Sequence, residues 1–372
     1  MDMNIKNSAR WMPICFIGKE TNLQVEWYDL RDIIFSEPFF NQSVKSYFRK
    51  NPNFPKLRTS IEAIVTMDEE KIGLEPTGFI FHMSRCGSSL ISRFLAVSPQ
   101  NLVISEAGII NEVLADTRLN LSNFLFEDSD WNPLVKAFQC FYEQKTIGGV
   151  DALQIKNSFF GFSEEEKIKL LKIFINRLGQ NSSSSLEQKY FVKFTSFNIL
   201  YLPLIKKAFP HTKWLFVYRH PGEVMVSLLK NPSGWMYLKK MPSLAEKLVK
   251  ISADQIEKMS DEEYCIRVLN SFCSTALQMN DQNSLVLNYI QLPHAFFSSI
   301  ADFFQISFSL KEKENIQEML NFYSKDITHQ KLYIPDSILK QEAASEFLQQ
   351  IISISLMNSY NNLELVRLEQ TK

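Results

Sequence analysis

Long apolar runs and glycine are both scarce in this chain of 372 residues. No stretch approaches the roughly 18 uncharged apolar residues that a membrane span needs, so we expect no such span. Only 11 glycines are present, which favours a helix-rich, well-filled core. The net charge is −1, so no global field draws the chain to nucleic acid, and an anion site would have to be built locally.

Paired cysteine motifs are also missing. The five cysteines are an odd number, and no two of them have C-x-x-C spacing. The first 20 residues, MDMNIKNSARWMPICFIGKE, contain no apolar signal core. Together these features predict reduced thiols and a cytoplasmic location.

Strand-length apolar runs alternate with helical patterns from residue 78 onward. The runs are FIFHM (79–83), LVIS (102–105), YFVKF (190–194), WLFVY (214–218) and LVLNY (285–289). Such alternation predicts an α/β fold with a mainly parallel sheet flanked by helices. We expect an N-terminal extension of unknown role at 1–75, one domain at 76–372, and a helical insertion or pocket cover at 117–189.

A turn of small residues, SRCGSS (84–89), follows the first of these strands and precedes a helix. Helix N-termini expose unpaired N–H groups, and such a turn adds more of them, which favours anion binding. Gly87 permits close backbone approach, Ser88 and Ser89 add hydroxyls, and Arg85 adds a charge. The alternative interpretation is an ordinary strand-to-helix turn capped by Ser88.

Three other nucleotide or catalytic loops do not fit this turn. The Walker pattern fails because Ser88, not Lys, follows Gly87. A Cys-x5-Arg phosphatase loop fails because six residues separate Cys86 from Arg93, and the G-x-S-x-G elbow is absent. We therefore interpret Cys86 as a small loop residue and not as a nucleophile.

A second segment, WLFVYRHPGEVMVSLL (214–229), places an arginine at the carboxyl end of a predicted strand. Arg219 follows the strand, Pro221 opens a helix, and Ser227 lies eight residues after Arg219. Parallel sheets bind ligands at the carboxyl ends of their strands, so we expect Arg219 to meet the ligand of the 84–89 turn. The alternative is a solvated or salt-bridged arginine.

Together these segments resemble the sulfotransferase family over roughly residues 78–330. SRCGSSL looks like the family's [KR]-[ST]-G-[ST]-[ST] loop, with Cys86 where Ser is usual. RHPGEVMVS is similar to its R-[DN]-P-x5-S motif, with His220 where Asp or Asn is usual, and VLNYIQLP (286–293) resembles a later segment. The resemblance implies a P-loop nucleotide-binding-like sulfotransferase fold and 3′-phosphoadenosine 5′-phosphosulfate (PAPS) as co-substrate, without a metal.

The resemblance also implies roles for individual residues. Nucleotide binding falls to Arg85, Cys86, Gly87, Ser88, Ser89, Arg219, Ser227 and, in a late loop, Lys325. The expected general base is Glu106, because the family's alternative His is missing after Lys193-Phe194-Thr195. Lys193 and Arg85 are expected to stabilise the leaving phosphate oxygen. The alternatives are that Glu106 stabilises a helix dipole and that Lys193 snorkels to water.

Other functions and the acceptor stay open at this point. A nucleotide-dependent kinase shares the fold and the anion loop, and a non-catalytic binding protein could also inherit them. The predicted acceptor is a hydroxyl or amine of a small molecule or peptide, and the oligomeric state is not predicted. His82 is expected to be a core histidine, and Trp235 is one candidate for stacking on adenine.

Overall fold

The computed structural model describes residues 11–18, 22–30, 33–51, 55–67, 73–116, 160–180, 186–322, 330, 332 and 336–370. The strands are β1 Trp11–Ile17, β2 Gln24–Asp29, β3 Lys56–Ser60, β4 Gly78–His82, β5 Asn101–Ser105, β6 Lys189–Lys193, β7 Lys213–Tyr218 and β8 Ser284–Asn288. They form a three-stranded sheet, β1-β2-β3, and a five-stranded sheet of order β5-β6-β4-β7-β8.

Sixteen α-helices are present in the described part of the chain. They are α1 Phe40–Lys50, α2 Ile61–Val65, α3 Ser88–Leu95, α4 Gly108–Ala115, α5 Glu164–Leu178, α6 Leu202–Ala208, α7 Pro221–Lys230, α8 Gly234–Tyr237, α9 Pro242–Val249, α10 Ala253–Lys258, α11 Asp261–Gln278, α12 Ala301–Phe304, α13 Leu310–Met319, α14 Ser337–Glu342, α15 Glu346–Ser355 and α16 Met357–Gln370. Short 3₁₀ or π turns span Ser196–Tyr201, Leu238–Lys240, Tyr289–Gln291 and Phe296–Ile300.

The predicted fold class is confirmed. All five predicted strands occur as β4 to β8, each within one residue of the predicted start and end. β4 pairs in parallel with β7, and β7 pairs in parallel with β8. Every residue of β4 is buried, which explains why its sequence is continuously apolar instead of alternating.

The chain divides into two compact units that interleave in sequence. Unit 1 comprises 1–77, 99–192 and 204–210, and unit 2 comprises 78–98, 193–203 and 211–372. The boundaries that we expect from the sequence, 1–75 and 76–372, stay a prediction. The helix expected inside the 117–189 insertion is present as α5, with a Ser163–Glu166 capping box, whereas 117–159 and 181–185 lie outside the described residues.

Unit 1 contains the antiparallel sheet of β1, β2 and β3. A buried carboxylate, Glu26, accepts hydrogen bonds from Tyr28 at 2.5 Å and from the Arg58 Nε at 3.0 Å. A second, Glu112 on α4, accepts the backbone N–H of Phe16 at 3.0 Å. These pairs satisfy charges that would be costly to bury alone.

Unit 2 contains β4, β7, β8 and most of the helices. Pro221 at the first turn of α7 and the Ser260–Glu263 capping box of α11 define where those helices start. The side chain of Gln370 on α16 accepts the N–H of Val286 and donates to the carbonyl of Ser284, so it satisfies backbone groups of β8. Across the described residues, no helix combines the length and apolarity that crossing a bilayer requires.

Candidate anion-binding site

The turn after β4 has an unusual backbone. Ser84 (φ 75°), Arg85 (φ 50°) and Gly87 (φ 85°) all lie in the left-handed region. Cys86, whose φ is not positive, separates Arg85 from Gly87, and this alternation is typical of anion nests, in which successive N–H groups surround an anion. For Ser84 and Arg85 this conformation is strained, and it persists only where the surroundings hold it.

Side chains from three other parts of unit 2 hold the first strained residue. The Ser84 N–H donates to the His82 Nδ1 at 3.2 Å, and the Ser84 hydroxyl donates to the Ser196 Oγ at 2.8 Å. The Trp235 Nε1 donates to the Ser84 Oγ at 3.2 Å. The His82 Nε2 also lies 3.2 Å from the Phe194 carbonyl oxygen, and the residue is buried, as expected from the sequence.

Cys86 joins the turn to the neighbouring strand β7. The residue is fully buried, and its thiol donates to the Val217 carbonyl of β7 at 3.1 Å. Burial raises the pKa of Cys86 to about 12, although the nearby cations of Lys193 and Arg219 act in the opposite direction. A thiol with this pKa stays protonated at neutral pH, which agrees with its interpretation as a loop residue and not a nucleophile.

Gly87 is required where it stands, because an aromatic ring closes on it. A Cβ at this position would lie 2.6 Å from the Tyr289 Cδ2. The same ring faces the Arg219 guanidinium, whose Cζ lies 4.2 Å from the ring centroid. Tyr289 therefore contacts both Arg219 and the position that a side chain at Gly87 would take.

The rest of the predicted loop also has its expected places. Ser88 and Ser89 are buried and form the first turn of α3, with Gly87 as its N-cap. The Arg85 guanidinium donates to the carbonyl of Asn231, the residue that follows α7, at 2.5 Å. This cation thus lies at a helix C-terminus, where the helix dipole favours positive charge.

Arg219 lies at the carboxyl end of β7, as predicted, and is joined to the loop. Its backbone N–H donates to the Met83 sulfur at 3.3 Å, while the Met83 N–H donates to the Val217 carbonyl at 3.1 Å. Because Met83 directly precedes Ser84, these bonds fix the loop relative to Arg219. The two predicted cationic elements therefore occur together in unit 2.

The guanidinium of Arg219 is surrounded by oxygen atoms. Its Nε and a terminal nitrogen contact the Glu223 carboxylate, and a terminal nitrogen also donates to Asp336 at 3.1 Å and to the Ser337 hydroxyl at 3.0 Å. Burial alone would lower the pKa of Arg219, but Glu223 and Asp336 more than offset it, so the pKa is raised. The guanidinium stays charged despite an exposed fraction of 7%.

Of the remaining predicted site residues, the structure describes three and does not describe the fourth. Lys193 ends β6 and has an exposed fraction of 1%, and Ser227 lies half-buried in α7. Glu106 follows β5 in unit 1, half-buried, with a φ of 54° that is uncommon for a residue other than glycine. Lys325 lies outside the described residues.

Three residues at this site were given a different role, or none, by sequence reasoning. Trp235 is buried against Tyr264 and Phe272 and braces Ser84, so the adenine-stacking role considered for it does not match its place here. Tyr289 lies in the VLNYIQLP segment, but nothing in that string signals its contact with Arg219. Asp336 comes from a segment 117 residues further along the chain than Arg219.

No group of three or more His, Cys, Asp or Glu side chains within the described ranges is arranged to hold a metal ion. No protein-family model matches the sequence, and no curated protein matches it. Solved structures do resemble the chain, and those named below are all sulfotransferases, the family whose motifs the sequence resembles.

The similar structures share little sequence with this chain. The sulfotransferase STF9 from Mycobacterium avium has 10% identity and a TM-score of 0.39, with 85% of this chain and 81% of that chain covered. The sulfotransferase domain of the Synechococcus PCC 7002 olefin synthase has 15% identity and a TM-score of 0.39, with 79% and 95% covered. The sulfotransferase domain from the curacin biosynthetic pathway has 14% identity and a TM-score of 0.37, with 76% and 97% covered. Likenesses of this size decide nothing about activity, which has to be argued from the site.

Proposed function

We propose that this protein is a sulfotransferase that moves a sulfuryl group from PAPS to a hydroxyl or amine acceptor. One observation carries the proposal: the strained turn after β4 directly follows Met83, whose sulfur accepts the backbone N–H of Arg219 at the end of the adjacent parallel strand β7. A nucleotide with phosphates at both its 5′ and 3′ positions matches two such cationic elements at one sheet edge.

The donors of the 84–89 loop fit a phosphosulfate group. The chain supplies N–H groups at the start of α3, two buried serine hydroxyls and the Arg85 guanidinium. Gly87 lacks the Cβ that would lie 2.6 Å from the Tyr289 Cδ2, so the loop backbone can pack closely against this ring. The loop has no Walker lysine to hold a nucleoside triphosphate, and this favours PAPS over ATP.

The proposed chemistry divides between two kinds of group. PAPS supplies the sulfuryl group, whose bond to the phosphate oxygen breaks as a bond to the acceptor oxygen or nitrogen forms. Glu106 accepts the proton that the acceptor loses. Lys193 and Arg85 stabilise the negative charge that develops on the phosphate oxygen. Because Lys193 is buried, solvent would screen its attraction to that charge less than at an exposed lysine.

Calorimetric binding of adenosine 3′,5′-bisphosphate tests the proposal. Arg219→Lys retains a charge for the buried Glu223 but loses the planar fork, so we expect the affinity to fall at least tenfold. Arg367→Lys is the matched control: Arg367 forms a similar two-nitrogen pair with Glu364 on α16 and lies outside the proposed site. The Arg367→Lys variant should bind the bisphosphate with the affinity of the wild type.

Two results would contradict the proposal. The first is that the wild-type protein does not bind the bisphosphate in the absence of metal. The second is that it prefers ATP with Mg²⁺, which would favour a phosphotransferase. If binding is confirmed, a panel of phenols, alcohols, amines and tyrosine peptides with PAPS identifies the acceptor class.

A further inference from the structure

Polar contacts to Arg219 and Glu223 join the helix α14 to the rest of unit 2. Asp336 and Ser337 contact the Arg219 guanidinium, and the Gln341 side chain donates to the Glu223 carboxylate at 2.7 Å. No side chain of α14 is buried, and its apolar residues Ile338 and Leu339 are exposed. Elements that bury little apolar surface open at low free-energy cost.

The two carboxylates on Arg219 are held very differently. Glu223 is four residues away on α7, has an exposed fraction of 6%, and cannot leave without stranding a buried charge. Asp336 has an exposed fraction of 39% and pairs with Lys340 at 2.7 Å as well as with Arg219. Ion pairs of such exposure contribute little stability, so Asp336 is the partner that an incoming anion can replace.

The charges at this cluster make replacement necessary. Arg219 and Lys340 contribute two positive charges, which Glu223 and Asp336 cancel. A phosphate monoester, with a charge of about −1.5 to −2, would find no net attraction while Asp336 remains. Displacement of Asp336 removes one negative charge from the face of Arg219 that a phosphate would contact.

We propose that α14 is a latch on the second phosphate site: the Asp336 carboxylate occupies the face of Arg219 that the nucleotide's 3′-phosphate takes, and binding of the nucleotide releases it. The inference rests on the proposed function, because it identifies Arg219 as the 3′-phosphate site. Asp336 then acts as an internal competitor that weakens binding of the bisphosphate but not of a nucleotide without a 3′-phosphate.

Asp336→Asn tests this competition with little disturbance of the fold. The Asp336 side chain makes no capping bond at the start of α14, and Asn retains its size. We expect the variant to bind adenosine 3′,5′-bisphosphate about tenfold more tightly, since the fraction of molecules with an open site rises. Its affinity for adenosine 5′-monophosphate should be unchanged.

Asp261→Asn is the matched control. Asp261 also starts a helix of unit 2 and pairs with a lysine, Lys239, at 2.7 Å. The Asp261→Asn variant should bind both the bisphosphate and adenosine 5′-monophosphate with the affinities of the wild type. Hydrogen exchange gives a second readout: the backbone bond from Lys340 to Asp336 should lose protection when the wild-type protein binds the bisphosphate.

The outcomes separate the latch from the proposed function. Tighter bisphosphate binding by Asp336→Asn alone, with lost protection in α14, supports the latch. Bisphosphate binding by the wild type that is equal or weaker in Asp336→Asn, or greater protection of α14 on binding, overturns the latch while the sulfotransferase proposal stands. Failure of both proteins to bind the bisphosphate overturns the proposed function, and the latch with it.

Discussion

Replacing Gly87 with alanine should damage the anion loop in two separable ways. The residue has a φ of 85°, which costs an alanine about 1–2 kcal/mol. The new Cβ would also lie 2.6 Å from the Tyr289 Cδ2 and 2.9 Å from its Cε2. Forcing the ring aside adds about 1–3 kcal/mol, so we expect a loss of about 2–5 kcal/mol in the free energy of unfolding.

Alanine substitutions at two other glycines measure the backbone cost and the crowding cost separately. Gly161 has a φ of 71° with nothing within 4 Å of its added Cβ, so Gly161→Ala measures the backbone cost alone. Gly78 has no left-handed backbone, but its Cβ would lie 2.2 Å from the Phe304 ring, so Gly78→Ala measures crowding alone. Urea denaturation of the three variants gives the free energies of unfolding.

Binding gives the functional half of the same test. Because Tyr289 also faces Arg219, displacing the ring should disturb both proposed phosphate sites and weaken binding of adenosine 3′,5′-bisphosphate at least tenfold. Gly161→Ala should bind it like the wild type. If Gly87→Ala matches Gly161→Ala in both stability and affinity, the close contact between Gly87 and Tyr289 is not what shapes the loop.

Three further predictions concern single residues. Since burial raises the pKa of Cys86 to about 12, roughly one thiol in 10⁴ is ionised at pH 8, and iodoacetamide should label Cys86 in urea but not in the folded chain; labelling of the folded chain at the rate of a free thiol would refute this. Trp235→Phe should cost about 1 kcal/mol more than Trp214→Phe, because the Trp214 Nε1 makes no hydrogen bond within the described residues; equal losses on denaturation would argue against bracing of Ser84. Glu106→Gln should slow sulfuryl transfer about 10²–10⁴-fold without changing bisphosphate affinity, and a loss below tenfold would exclude Glu106 as the base.

The five-stranded sheet could be predicted because its strands are simple in composition. β4 and β7 are buried along almost their whole length, so their sequences are continuous apolar runs bounded by turn residues. The loop and Arg219 then follow from their positions after those strands. Local patterns are sufficient where burial is uniform and the functional residues adjoin the strand ends.

The N-terminal sheet could not be predicted in the same way. β1 contains Pro13 beside an irregularity in register, which is tolerated because β1 is an edge strand. β2 carries the buried Glu26, and only the antiparallel register with β3 brings Arg58 opposite to it. A buried polar residue whose partner lies on a neighbouring strand cannot be told from a surface residue in the sequence alone.

The partners of the site depend on contacts that are still more distant. Trp235 reaches Ser84 across 151 positions, and Asp336 reaches Arg219 across 117. Neither tryptophan nor aspartate occurs in a pattern that marks such a contact. Sequence therefore predicted the cationic groups of the candidate site, and only the structure shows which residues contact them.

The residues that hold Ser84 and the carboxylate that pairs with Arg219 imply different roles for the loop and for Arg219. Bonds to His82, Ser196 and Trp235 hold Ser84 in its left-handed conformation, so the start of the loop is arranged before a ligand arrives and should lose little entropy on binding. Arg219 instead shares its charge with Asp336, the carboxylate that the proposed latch would release. Affinity for the 5′ group should then come from the rigid loop. Preference for a nucleotide that also carries a 3′-phosphate should come from the proposed exchange at Arg219, in which that phosphate takes the place of Asp336.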